Sequence, residues 1–171
     1  KKIAEISVDT DGTRLYRKQY SDLLDTLLVH YVRNIAVHGI ESKQVRLQRN
    51  KNEYGEVIFG IKGKHDKIIF SFKDDGNGID PEVIAEKCQE LGIDVSNKSR
   101  HELIQGIFFE KISTTDDADE WSGLGVGMDV INSTVTSMGG KMEIFSNSGE
   151  GTELVIEIPY LKYKDIENVT T

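Results

Sequence analysis

A single cysteine, Cys88, stands among 171 residues, so the chain has no internal disulfide and no cysteine set for a zinc site. Within the helical pattern around it, that thiol reads as a small core residue. No apolar run approaches the roughly 20 residues of a membrane span, and the opening KKIAEISV has no signal-peptide core. Both absences predict a cytoplasmic protein without membrane contact. An excess of cations is missing too: 21 Lys and Arg against 29 Asp and Glu give a net charge of −8. Nucleic-acid affinity comes mostly from neutralising phosphates, so this balance argues against a nucleic-acid partner. Lys43, Arg46, Arg49 and Lys51 form one local cationic stretch, which reads as a solvated loop. No internal repeat or low-complexity tract interrupts the chain.

What is present is the composition of one soluble globular domain, 37% apolar and 29% charged, long enough to bury a core. Its most apolar stretch is DLLDTLLVHYVRNIAVHG at residues 22–39, without Gly or Pro before Gly39, which predicts a largely buried helix. Thr26, His30, Asn34 and His38 recur along it every fourth residue and so share a face. Such a stripe is either satisfied inside the fold or lines a site, because unpaired buried polar groups are costly. A zinc ion shared by His30 and His38 is excluded, since eight helical residues part them by about 12 Å. Asn34 lies one turn from each histidine, and its amide oxygen is a hard ligand that suits Mg²⁺.

The other elements follow from pattern and punctuation. Residues 3–8 alternate as a strand, and residues 41–54 lack a period and read as loop. Residues 56–62 and 67–73 form two strands around a Gly63-Lys64-His65-Asp66 turn. Asp80 before Pro81 is an N-cap that opens a helix to about Leu91, closed by Gly92. Residues 102–109 predict a short helix and residues 128–138 another, stopped by Gly139-Gly140. Residues 141–147 and 152–158 predict two last strands. Clustered strands with intervening helices predict an α+β two-layer sandwich, a mixed sheet of about five strands with about three helices on one face. The domain spans residues 1–160, and residues 161–171 form a polar C-terminal tail.

Two glycine runs are candidates for chemistry. Asp74-Asp75-Gly76-Asn77-Gly78 lies between a strand and a helix. Its glycines permit positive φ and close backbone approach and its carboxylates are fixed acceptors, although the same residues also make plain turns. Gly123-Leu124-Gly125-Val126-Gly127 precedes the helix at Met128, where bared backbone and free N–H groups suit an anion; a flexible hinge is the plainer alternative. Its spacing fits neither the dinucleotide fingerprint nor the P-loop. The acidic segment before it is a candidate loop for closing over a ligand.

In chain order, HxxRNxxxHGIE from His30 to Glu41, DDGNGID from Asp74, SGLGVGMDVI from Ser122, and Gly149-x-Gly151-Thr152 resemble one family. This is the ATP-binding catalytic domain of the GHKL superfamily, which includes gyrase, MutL and the histidine kinases. CheA-type chemotaxis kinases are the nearest branch, to which HxxRNxxxHGIE and SGxGVGMDV are peculiar. The resemblance covers residues 1–159. It implies the Bergerat ATP-binding fold and an ATP-dependent protein-histidine kinase in a two-component pathway. Such an enzyme passes the γ-phosphoryl of MgATP to a histidine on a separate phosphotransfer domain, upstream of a response regulator.

The resemblance also implies roles. Asp74 corresponds to the aspartate that accepts the adenine amino group, Gly76 and Gly78 shape the pocket, and Thr152 helps through water. Asn34 would hold Mg²⁺, and His30, where most histidine kinases have glutamate, would assist at the γ-phosphate. Arg33 and His38 lie near the phosphates, and Lys87 is a candidate phosphate contact. Ser122, Gly123, Gly125, Gly127 and Met128 line the phosphates behind an ATP lid at residues 110–123. Two positions depart from the family pattern. Val37 replaces a usual aspartate, and Glu110, Lys111 and Ile112 replace Pro-Gly-Phe at the lid's root, which changes backbone freedom there. A degenerate ATP-binding sensor with little kinase activity is therefore the alternative. An ATPase clamp of the gyrase kind would carry glutamate at position 30 and a following transducer domain, and neither is seen. The phosphotransfer, dimerisation and coupling domains of CheA-type kinases are also missing, which predicts an excised catalytic domain of a larger parent.

Overall fold

The computed structural model describes residues 4–10, 18–64, 66–90, 92–109 and 128–160. Strands β1 (Ala4–Thr10), β2 (Gly55–Lys64), β3 (Lys67–Asp74), β4 (Lys141–Asn147) and β5 (Gly151–Pro159) form one sheet in the order β1-β2-β3-β5-β4. β2, β3, β5 and β4 make a four-stranded antiparallel block, and β1 adds a strand parallel to β2. The helices are α1 (Lys18–Asn34), α2 (Lys43–Gln48), α3 (Pro81–Glu90), α4 (Arg100–Phe109) and α5 (Met128–Ser137). This is the expected α+β architecture. The tail at residues 161–171 lies outside the described residues.

Strand alternation sends every second side chain under the helices, and the strand register aligns those residues in rows across the sheet. One row reads Ile61, Phe70, Ile156, Met142, and the next reads Phe59, Phe72, Leu154, Ile144. All eight are buried. Above them α1 contributes Leu23, Leu27 and Tyr31, each four residues after the last, and α5 contributes Ile131 and Val135. Cys88 is buried on α3, which satisfies the core reading of that thiol, and burial pushes its pKa up. The opposite sheet face is charged, with Glu157 bonded to Lys67 at 2.6 Å and lying 3.5 Å from Lys141.

Local signals account for most helix ends. Asp80 Oδ1 accepts from the Glu82 N–H at 2.9 Å, the expected N-cap of α3. α4 begins earlier than expected because Ser99 and Glu102 form a capping box: Ser99 N–H donates to Glu102 Oε2 and Glu102 N–H to Ser99 Oγ. Two expectations need correction. The loop expected over residues 41–54 contains α2, capped by Ser42, whose Oγ accepts from the Val45 N–H. The helix expected over residues 22–39 is α-helical only to Asn34; Ile35–Gly39 is a π-helical turn, closed by Ile40 N–H donating to the Ile35 carbonyl.

Truncating Ile156, fully buried in β5, is expected to cost about 2–5 kcal/mol as Ile156→Ala, whereas Val83→Ala on exposed α3 surface should stay within about 0.5 kcal/mol. Urea titration of both variants checks this difference.

Candidate functional site

The third inward-facing row of the sheet is polar at three of its four positions. It reads Val57, Asp74, Thr152, Ser146, continuing the phase of the two apolar rows. Asp74 is 5% exposed. Its Oδ1 accepts from the Gly76 N–H at 2.9 Å and its Oδ2 from the Tyr31 hydroxyl at 3.2 Å. Burial raises the Asp74 carboxyl above its ordinary range, against the hydrogen bonds from Gly76, Tyr31 and Thr152 that favour the anion. Tyr31 is pushed well up by the same burial and by the charge of Asp74, so the phenol stays a donor. Ser146 knits the row's end together: it accepts from Ile79 N–H at 2.8 Å, donates to the Gly151 carbonyl at 2.8 Å and lies 3.0 Å from Thr152 Oγ1.

Beyond Asp74 the chain must pass extremely close to two other backbones. A Cβ on Gly76 would fall on the Gly39 carbonyl oxygen, and one on Gly78, at φ +65°, would fall on that of Asn147. The Gly39 carbonyl comes from the π turn, and it also accepts from Asn77 N–H at 2.8 Å. A bulge at the end of α1 therefore meets the glycine loop directly.

Behind this loop lies a cluster of charges. Arg46, on α2, is 0% exposed. Its guanidinium donates to Glu41 Oε2 at 3.0 Å, Asp75 Oδ2 at 2.7 Å, the Asp75 carbonyl at 3.3 Å and the Asn52 carbonyl at 2.7 Å. Lys51 Nζ donates to Glu41 Oε1 and to the Asp75 and Gly76 carbonyls, all at 2.7–2.8 Å. Arg49 joins Glu41 Oε1 to Asn77 Oδ1. Burial favours the neutral acid at Glu41, but the bonds from Lys51 and Arg49 outweigh it and hold the carboxyl below its usual range. The cationic stretch expected as a solvated loop is thus half-interior: Arg46 and Lys51 are buried or nearly so, and only Lys43 and Arg49 face outward.

The expected site residues fall into two groups. Asp74, Gly76, Gly78 and Thr152 come together at the polar row and its loop. Arg33 is exposed on the last turn of α1, and Lys87 is half-buried on α3. His30 and Asn34 lie on α1, one position before the buried Tyr31 and Ile35, and His38 lies on the π turn; the side chains of His30, Asn34, Val37 and His38 are outside those described. Met128 begins α5, its side chain likewise not described, and Ser122, Gly123, Gly125, Gly127 and the lid at residues 110–123 lie outside the described residues. Tyr31 and Ser146 were not singled out from the sequence, Arg46 and Lys51 were named only as part of a solvated loop, and Glu41 only as the end of a motif, without a role. Phase alone could have found two of them. Ser146 follows Met142 and Ile144 at period two, and Tyr31 follows Leu23 and Leu27 at period four.

A sequence profile described as "Histidine kinase-, DNA gyrase B-, and HSP90-like ATPase" matches residues 21–162. The chain belongs to this ATPase family. It is 36% identical over 159 residues to the chemotaxis protein CheA of Klebsiella aerogenes, a match covering 92% of this chain and 24% of that protein. CheA of Borreliella burgdorferi is 35% identical, with 92% and 18% covered. The chain thus spans about a quarter or less of the length of these relatives. Among solved structures, full-length ShkA in complex with AMPPNP superposes with a TM-score of 0.54 at 18% identity, covering 91% of this chain and 25% of that one, a likeness of fold. The polar row therefore occupies one end of an ATPase-family sandwich with CheA-like sequence.

Two outcomes follow. A raised Asp74 pKa means the folded state holds its proton longer than the unfolded chain, so stability falls as pH rises from the ordinary carboxylate range through the folded value. Asp74→Asn removes that slope; thermal melts in pH steps should show the variant gaining on the parent across this window and then running level with it. Arg46→Met removes the fully buried cation that joins Glu41 to Asp75 and is expected to cost about 3–5 kcal/mol in urea titration.

Proposed function

We propose that this chain is the MgATP-binding catalytic domain of a CheA-like sensor histidine kinase. The observation that carries the reading is Asp74, a buried carboxylate at the polar end of the sheet, followed by glycines that let the Gly39 and Asn147 backbones approach closely. Gly76 N–H and the Tyr31 hydroxyl each use one lone pair of that carboxylate, and the remaining lone pairs suit the exocyclic amino group of adenine. Thr152, its register partner, would assist through water, with Gly76 and Gly78 closing the base pocket.

In this reading the γ-phosphorus bonds to an imidazole nitrogen of a histidine on a separate phosphotransfer domain. The bond to the β–γ bridging oxygen breaks, ADP leaves and the imidazole loses its proton. The transition state is loose and anionic, so the protein's part is positioning and charge stabilisation. His30 would assist at the γ-phosphate; Arg33, His38, Lys87, Ser122, Gly123, Gly125, Gly127 and Met128 would serve the phosphates. Asn34 would hold Mg²⁺, which when bound neutralises phosphate charge. An imidazole is a competent nucleophile, consistent with histidine where many relatives carry glutamate. The phosphotransfer domain would belong to the same parent protein, with a response regulator downstream and a cytoplasmic setting. No described helix is long and apolar enough to cross a membrane.

Val37 and the altered lid root favour a second reading, an ATP-binding sensor with little turnover. Labelled ATP and the parent's phosphotransfer domain separate the two. Acid-labile, base-stable label on the partner histidine is expected of the kinase, whereas ATP binding without transfer is expected of the sensor. Transfer gained by Val37→Asp would assign the loss to that position. Asp74→Asn should abolish adenine-nucleotide binding in equilibrium titration; undiminished binding would remove the basis of the reading.

A further inference from the structure

The buried charge cluster is aimed at one place. Lys51 Nζ is bonded to two consecutive backbone carbonyls, those of Asp75 and Gly76, immediately after Asp74. Arg46 grips Asp75 through both its carbonyl and its carboxylate. The other Asp75 oxygen accepts from Glu56 N–H at 2.8 Å. The next carbonyl, of Asn77, accepts from Gly149 N–H, so every carbonyl of residues 75–77 is held. Glu41, whose carboxylate is 1% exposed, collects Arg46, Arg49 and Lys51 and fixes where these cations sit. A glycine-rich loop has little conformational preference of its own. Here its path is imposed by donors outside it.

We propose that Lys51, fixed by Glu41, is a positioning residue for base recognition. By holding the Asp75 and Gly76 carbonyls it sets the peptide whose N–H orients the Asp74 carboxylate, and so determines adenine affinity without touching the nucleotide. The inference rests on the nucleotide-site reading above. It predicts where the affinity comes from. Because Lys51 acts on the base end, its removal should weaken ADP and ATP by the same factor, since the two share the adenosine moiety and differ only in phosphate. Glu41 keeps Arg46 and Arg49 when Lys51 is removed, so the loss of Lys51, 17% exposed, should cost less stability than that of fully buried Arg46.

The test is calorimetric titration of wild type, Lys51→Met and Lys51→Arg with ADP and with ATP in the presence of Mg²⁺, beside melting of each ligand-free protein. Lys51→Met should raise both dissociation constants by about tenfold, the scale of one charge-assisted hydrogen bond. Lys51→Arg should recover most of that loss, because a guanidinium can also reach two carbonyls. Unchanged affinity in Lys51→Met, or a loss confined to ATP, would overturn the proposal. A lowered melting temperature with unaltered affinity would do so too, assigning Lys51 a purely structural part. Wild-type protein that binds neither nucleotide would sink the nucleotide-site reading itself, and this inference with it.

Discussion

A fully buried guanidinium is the constraint on which the rest of this site depends. Stripped of water, Arg46 must find oxygen for its donors, and an unmet charge in the interior costs several kcal/mol. The oxygens come from three places: Glu41 after the π turn, the Asn52 carbonyl before β2, and Asp75 after β3. Arg46 thus ties these three segments together, and its bonds to Asp75 help hold the glycine loop against the end of α1.

The sandwich divides along its strands into an apolar part and a polar one. Two rows of four buried apolar residues each hold the layers together, and the third row, in the same phase, presents Asp74, Thr152 and Ser146. A carboxylate in that row works against stability, as the upward pull of burial on Asp74 indicates. The neighbouring aromatics Phe59 and Phe72, with ring centroids 4.8 Å apart, and Tyr31 and Phe72 at 5.0 Å, supply packing beside it. The described inward-facing polar groups are thus gathered at one end of the sheet, while the apolar rows supply cohesion.

Much of this architecture was legible because one-sided burial leaves a period. The hairpins, α1, α3 and α5 all declared themselves through alternation, fourfold spacing or a capping residue such as Asp80. α2 did not, since its six residues, four of them charged or polar, span less than two turns and show no stripe; only Ser42 marked its start. The π turn was invisible for a different reason: nothing in Ile35–Gly39 distinguishes one wide turn from continued α-helix, and its closure depends on what the Gly39 carbonyl meets. At the site, Asp74, Gly76, Gly78 and Thr152 emerged from motif order. The cations behind them were misjudged because composition reports charge but not distance to partners. Arg46 and Asp75 lie 29 residues apart, and their bond is a product of the fold.

The pairing of Asp74 with Thr152 has a consequence for how the molecule comes apart. Tyr31, whose single hydroxyl hydrogen lies within reach of Asp74 Oδ2, the Phe72 carbonyl and the Thr152 carbonyl, stands 43 and 121 positions from Asp74 and Thr152 in the chain. No local fragment contains all three. The buried hydrogen-bond cluster they make exists only when α1, β3 and β5 are assembled together, so partial opening of any one of them dissolves it. A ligand held there is linked to the global unfolding equilibrium and would protect the slowest-exchanging amides of the sheet, not merely those of the glycine loop.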